Sequence, residues 1–150
     1  TYSVHVPANA DTVLGAPVVM AFHGGFGSSE NIENQSGLSG VADEEGFIAV
    51  YPMGTGTIPT WNGGECCGFA AREDIDDVGF VDKLIARLAQ DYPVDLTRVY
   101  ATGMSNGGAM TYRLACELPH RFAAFGPVAV TWRDPTCAAD LTVPVLHFHS

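Results

Sequence analysis

The stretch that decides the fold runs Arg98-Val-Tyr-Ala-Thr-Gly-Met-Ser-Asn-Gly-Gly-Ala-Met110. Its first five residues form a short apolar run suited to a buried strand. Gly103-Met-Ser-Asn-Gly107 then fits the pattern G-x-S-x-G, and Met110, Leu114 and Leu118 follow on one helical face until Pro119 stops the pattern. A serine between a buried strand and an amphipathic helix sits on a tight turn with strained backbone. Such a turn needs small neighbours, which Gly103 and Gly107 supply. Ser105 is thus the candidate nucleophile. The helix predicted from residue 106 to about residue 117 sets its positive end under the serine. There the Asn106 backbone N–H can donate to an oxyanion.

A second oxyanion donor has to come from another turn. Phe22-His-Gly-Gly-Phe-Gly-Ser28 follows the apolar run Val18-Val-Met-Ala-Phe22, and the backbone N–H of Gly25 or of Phe26 is the candidate. His23 is expected to brace this turn at the edge of the substrate site.

Further apolar runs are Phe47-Ile-Ala-Val-Tyr51, Phe125-Gly-Pro-Val-Ala-Val130 and Val143-Pro-Val-Leu-His-Phe148, with an opening strand over Tyr2-Ser-Val-His-Val6. Most are apolar almost throughout, as strands buried on both faces are. Between them, Val78, Val81, Leu84, Ile85 and Leu88 recur at helical spacing behind Asp76 and Asp77, which read as a cap and a first-turn acid. Residues 37–45 give a weaker helical pattern. Strand alternating with helix predicts an α/β class with a mostly parallel sheet. Residues 54–68 have no period and read as a long loop. Trp61 within it, and Trp132 after a later strand, are candidates for lining a substrate pocket.

Composition narrows the partners. The 150 residues are 47% hydrophobic and 16% charged, which fits one globular domain or part of one. A net charge of −10, with only seven Lys and Arg, speaks against nucleic acid or an anionic membrane. No apolar run approaches the roughly 20 residues that span a bilayer. Thr1 leads straight into the first strand, so the sequence is expected to start inside a mature domain.

Cys66, Cys67, Cys116 and Cys137 lack metal-site spacing and suggest an oxidising compartment. Topology makes a 116–137 bridge feasible and leaves a bond between the adjacent Cys66 and Cys67 as an uncommon option. The other connectivities stay open. His147 and His149 share a face of the last strand. As a metal pair they lack a third ligand, so no metal is expected. As a general base, either of them needs Asp134 or Asp140 to orient it.

The run Val94-Asp-Leu-Thr-Arg-Val-Tyr-Ala-Thr-Gly-Met-Ser-Asn-Gly-Gly108, with Asp76-Asp-Val-Gly-Phe80 before it and Tyr112-Arg-Leu-Ala-Cys116 after it, resembles the polyhydroxybutyrate depolymerase and feruloyl or acetyl xylan esterase group. His23-Gly-Gly25, Tyr51-Pro52, Trp61-Asn62 and Cys66-Cys67 are similar to that group as well. The resemblance implies a three-layer α/β-hydrolase that is a secreted carboxylic-ester hydrolase with a Ser-His-Asp triad and no cofactor. Its substrates are feruloyl, acetyl or hydroxyalkanoate esters. It also implies that the triad acid and histidine lie beyond Ser150, so residues 1–150 would be the N-terminal and central part of a single domain, cut after the strand ending near His149. A peptidase or thioesterase on the same fold, or a binding module without the triad, are the alternatives.

Overall fold

The computed structural model describes residues 1–131, 137 and 143–149. Five strands form one sheet in the order β1-β3-β2-β4-β5. They are β1 (Tyr2–His5), β2 (Ala16–Phe22), β3 (Ile48–Pro52), β4 (Val94–Met104) and β5 (Ala124–Val128). Strand β1 runs antiparallel to β3, and every other pairing is parallel. The central strands β2 and β3 are apolar and largely buried because helices cover both of their faces.

Alternation along the strands sorts the core into two layers. Met20 and Phe22 on β2 and Ile48 and Val50 on β3 face one way. They meet Val81, Leu84, Ile85 and Leu88 of α4 (Asp77–Asp91) and Met110 and Leu114 of α5 (Asn106–Glu117). Ala21, Ala49 and Tyr51 face the other way, onto Ile32 of α1 (Ser29–Ser36) and Ala42 of α2 (Leu38–Glu45). Helices on both sides of a mostly parallel sheet complete the three-layer α/β-hydrolase architecture.

From β2 the chain moves one way along the sheet to β3, then crosses back to the opposite side of β2 as β4. The strand order therefore reverses at β2 and β4. Open parallel sheets hold their sites outside the carboxyl ends of strands at such a reversal. Phe22 pairs with Gly103, so the two strands deliver the turn after Phe22 and the turn at Ser105 to the same edge.

One helix was not anticipated, and two expectations change. The helix α1 has a polar sequence with Ile32 as its buried apolar residue, and it is set by the Ser28 cap, whose hydroxyl accepts from the Asn31 N–H. The region from residue 54 is less irregular than expected. It closes on a Thr55–Thr60 bridge and runs into α3 (Gly68–Arg72). The run 143–148 is not a buried strand. It touches β5 through isolated parallel bridges at Phe125–Val145 and Val128–Phe148, and Leu146 and Phe148 are exposed. Two bridges align the backbone without a second layer to cover the side chains.

Candidate active site

Ser105 is exposed and has φ 54° and ψ −115°, in the left-handed region that a non-glycine residue avoids. Its surroundings hold it there. The Ser105 N–H donates to the Val128 carbonyl at 2.9 Å, and its own carbonyl accepts from the Ala109 N–H at 2.9 Å, starting α5. A Cβ on Gly107 would fall on the Phe22 and His23 carbonyls, so the close approach of α5 to β2 depends on glycine there.

The glycine turn after β2 packs directly against this elbow. A Cβ built on Gly24 would lie 3.8 Å from Cβ of Ser105, and one on Gly25 would lie 3.8 Å from Cβ of Asn106. The Phe26 N–H is already engaged, donating to the Pro59 carbonyl at 3.1 Å. Of the two candidate donors, Gly25 is the one beside Asn106.

His23 is 1% exposed. Its Nε2 accepts from the Gly54 N–H at 2.9 Å, so the network assigns the ring proton to Nδ1, which donates to the Gly24 carbonyl at 2.7 Å. Burial lowers its pKa, against a smaller opposing pull from the Gly24 carbonyl. It is a neutral brace for the turn rather than a substrate contact.

Trp61 also departs from expectation. It is fully buried, packing edge-on against Phe22 with ring centroids 5.2 Å apart and donating from Nε1 to the His23 carbonyl at 3.1 Å. An aromatic ring in a loop looked like a pocket wall, whereas this one anchors its loop to the core. Trp132, Asp134 and Asp140 lie outside the described residues.

The loop that carries Trp61 is tied to the elbow residue by residue. The Asn106 amide, 4% exposed, accepts from the Trp61 N–H at 2.7 Å and donates to the Trp61 carbonyl at 2.9 Å. The Asn62 N–H donates to Asp77 Oδ2 at 2.7 Å, and Arg113 Nη1 donates to the Asn62 carbonyl at 2.9 Å. Asp76 caps α4 through the Gly79 N–H, as its position suggested. Asp77 does more, reaching from the first turn of α4 into the interior, where burial pushes its carboxyl pKa up. Sequence reasoning missed this role, and missed Arg113. The one signal was a second aspartate where a single cap was enough.

Cys66 and Cys67 are bonded to each other beside this elbow, and Cys116 is bonded to Cys137 at the far end of α5. Two cavities flank Ser105. One, of about 390 Å³, includes Glu65, Cys66, Tyr112, Thr131 and His149. The other, of about 580 Å³, includes Phe26, Ile58, Cys67, Phe69 and Arg72. His147 stacks on His149 with centroids 5.6 Å apart and meets the Tyr112 hydroxyl at 2.6 Å. Among the described residues, no group of three or more His, Cys, Asp or Glu is placed to hold a metal ion. Likewise, no helix among them is long and apolar enough to cross a membrane.

A strained serine at the reversal of a mostly parallel sheet, with a glycine turn against it, places the molecule among the α/β-hydrolases. Residues 1–138 match the family described as Esterase PHB depolymerase, and the chain belongs to that family. It is 33% identical over 153 residues to the putative esterase NocK of Nocardia uniformis, covering 96% of this chain and 42% of that protein. It is 27% identical over 146 residues to the bifunctional acetylxylan esterase/xylanase XynS20E of Neocallimastix patriciarum, covering 97% of this chain and 20% of that one. The chain thus spans less than half the length of these relatives. Among solved structures, an acetyl xylan esterase from Aspergillus awamori superposes with a TM-score of 0.73 at 21% identity, over 93% of this chain and 51% of that one, a likeness of fold.

Proposed function

We propose that residues 1–150 are the N-terminal and central part of a secreted serine carboxylic-ester hydrolase in which Ser105 attacks the ester carbonyl. The observation that carries this reading is the exposed Ser105 at φ 54°, fixed between the Val128 carbonyl and the Gly24–Gly25 turn. A strained backbone held by its surroundings at the mouth of a cleft suits a nucleophile that must project beyond its neighbours.

The Ser105 Oγ bonds to the carbonyl carbon as its proton passes to a histidine base. The oxygen that becomes negative accepts from the Asn106 and Gly25 N–H groups. Collapse of this adduct expels the alcohol, which takes the proton back, and leaves an acyl-Ser105 that water then cleaves by the same route. The histidine and its aspartate are assigned to sequence following Ser150, in keeping with the partial span of the relatives. Relatives named as an acetylxylan esterase, a feruloyl esterase and a poly(3-hydroxyalkanoate) depolymerase support acyl or hydroxycinnamoyl esters, some polymer-linked, as the substrate class. Two disulfides favour an extracellular site of action.

A second reading makes His149 the base, because it lines the same cavity as Ser105. The test is turnover of p-nitrophenyl acetate and of a peptide anilide by the full-length protein, with S105A and H149A beside it. Ester turnover that S105A lowers at least about a thousandfold, with H149A active and the anilide intact, is the expected result. An inactive H149A moves the base to His149. S105A activity within about tenfold of wild type refutes the nucleophile.

A further inference from the structure

The two cavities that flank Ser105 share no lining residue except Ser105 and Asn106. The adjacent pair of bonded cysteines is shared out between them, with Cys66 on the wall of one cavity and Cys67 on the wall of the other. Three contacts hold this pair in place. Asn106 Nδ2 approaches Cys67 Sγ at 3.7 Å, the Gly63 N–H donates to the Cys66 carbonyl at 2.6 Å, and Asn106 grips the loop at Trp61.

The two sides differ in chemistry. On the Cys67 side, Phe26, Ile58 and Phe69 are 79%, 53% and 37% exposed, a cluster of apolar side chains left facing an open cleft. The Arg72 guanidinium caps it, 6.0 Å from the Phe69 ring centroid. The Cys66 side is mixed, with Glu65, Tyr112, Thr131 and His149 bringing carboxylate, hydroxyl and imidazole groups to a wall that small residues such as Ala109 and Ala129 complete. Apolar walls reward an apolar group, and polar walls suit a group with hydroxyls to share. A disulfide is a compact apolar divider, whereas two separate thiol side chains rotate independently.

We propose that the Cys66–Cys67 disulfide is the specificity-determining partition of the Ser105 cleft, directing an apolar acyl group to the Phe26, Ile58 and Phe69 side and a hydroxylated alcohol to the Glu65 and Tyr112 side. This rests on Ser105 being the nucleophile of ester hydrolysis. With the partition in place, a longer acyl chain gains contacts that acetate does not make. Without it the two cavities join, and that discrimination is lost.

The experiment measures kcat and KM of the full-length protein for p-nitrophenyl acetate and p-nitrophenyl hexanoate, in wild type, C66A/C67A and C116A/C137A, with thermal melts of each. The hexanoate-to-acetate ratio of kcat/KM is expected to fall about tenfold in C66A/C67A, mainly through KM for hexanoate. C116A/C137A is expected to melt earlier and keep the wild-type ratio. An unchanged ratio in folded C66A/C67A overturns the partition, as does an equal change in both double variants. If C66A/C67A does not fold, F69A decides, a lower ratio supporting the apolar acyl side and an unchanged one overturning it. Failure of the underlying reading is distinguishable, since wild type would then hydrolyse neither ester.

Discussion

Asn106 holds Trp61 by both of the tryptophan's backbone polar groups, accepting from its N–H at 2.7 Å and donating to its carbonyl at 2.9 Å. The residue after Ser105 therefore has two duties. Its backbone faces the reacting oxygen in the proposed mechanism, and its side chain pairs with the loop opposite as a strand neighbour would.

Removing that side chain takes the acceptor from the buried Trp61 N–H and leaves the Trp61 carbonyl to the Gly63 N–H at 3.0 Å. N106A is expected to lose about 1–3 kcal/mol of stability in urea unfolding, and to lose turnover as the loop loosens. Wild-type stability would contradict the pairing.

Two glycines give opposite expectations. G107A sets a methyl group against the Phe22 and His23 carbonyls and is expected to yield little folded protein. Gly40 in α2 has nothing within 4 Å of its missing Cβ, so G40A is expected to gain about 0.5–1 kcal/mol. Circular dichroism melts of the two variants check both.

His23 makes stability depend on pH with a definite sign. Its folded pKa is held below the ordinary 6.5 by burial, and its Nε2 lone pair is occupied by the Gly54 N–H. Its contribution is complete above about pH 6.5. As the pH falls through that value the unfolded chain takes the proton first, so stability drops until the folded value is reached. Urea midpoints between about pH 5 and pH 8 are expected to fall more steeply on the acid side in wild type than in H23Q. Parallel profiles would show that His23 is not the titrating group.

How much of this was legible in the sequence depended on whether neighbours in the chain or distant partners set each feature. The strand, turn and helix around Ser105 were legible because strand periodicity, two glycines and helical spacing lie within some twenty consecutive residues. The HGG turn was legible as a turn, but the engagement of the Phe26 N–H was not, because its acceptor is the Pro59 carbonyl, far along the chain. Trp61 as a pocket wall was misjudged, and the inward reach of the first-turn acid Asp77 was missed, for the same reason: what buries them is the packing of the loop near residue 61 onto α5 and α4. The apolar run 143–148 read as a buried strand because composition records hydrophobicity, whereas burial needs a covering layer.

Both disulfides predict a simple count. Alkylation under denaturing, non-reducing conditions followed by peptide mass is expected to leave Cys66, Cys67, Cys116 and Cys137 unlabelled, with all four labelled after reduction. Labelling of either pair before reduction would remove that bridge from the account.

The central claim is that Ser105 is the nucleophile, and covalent trapping tests it most directly. Treating the full-length protein with a fluorophosphonate and digesting it is expected to place the added mass on the peptide containing Gly103-Met-Ser-Asn-Gly107, at Ser105, with loss of esterase activity in step with labelling. Labelling at a different serine, or full labelling with Ser105 untouched and activity gone, would contradict it.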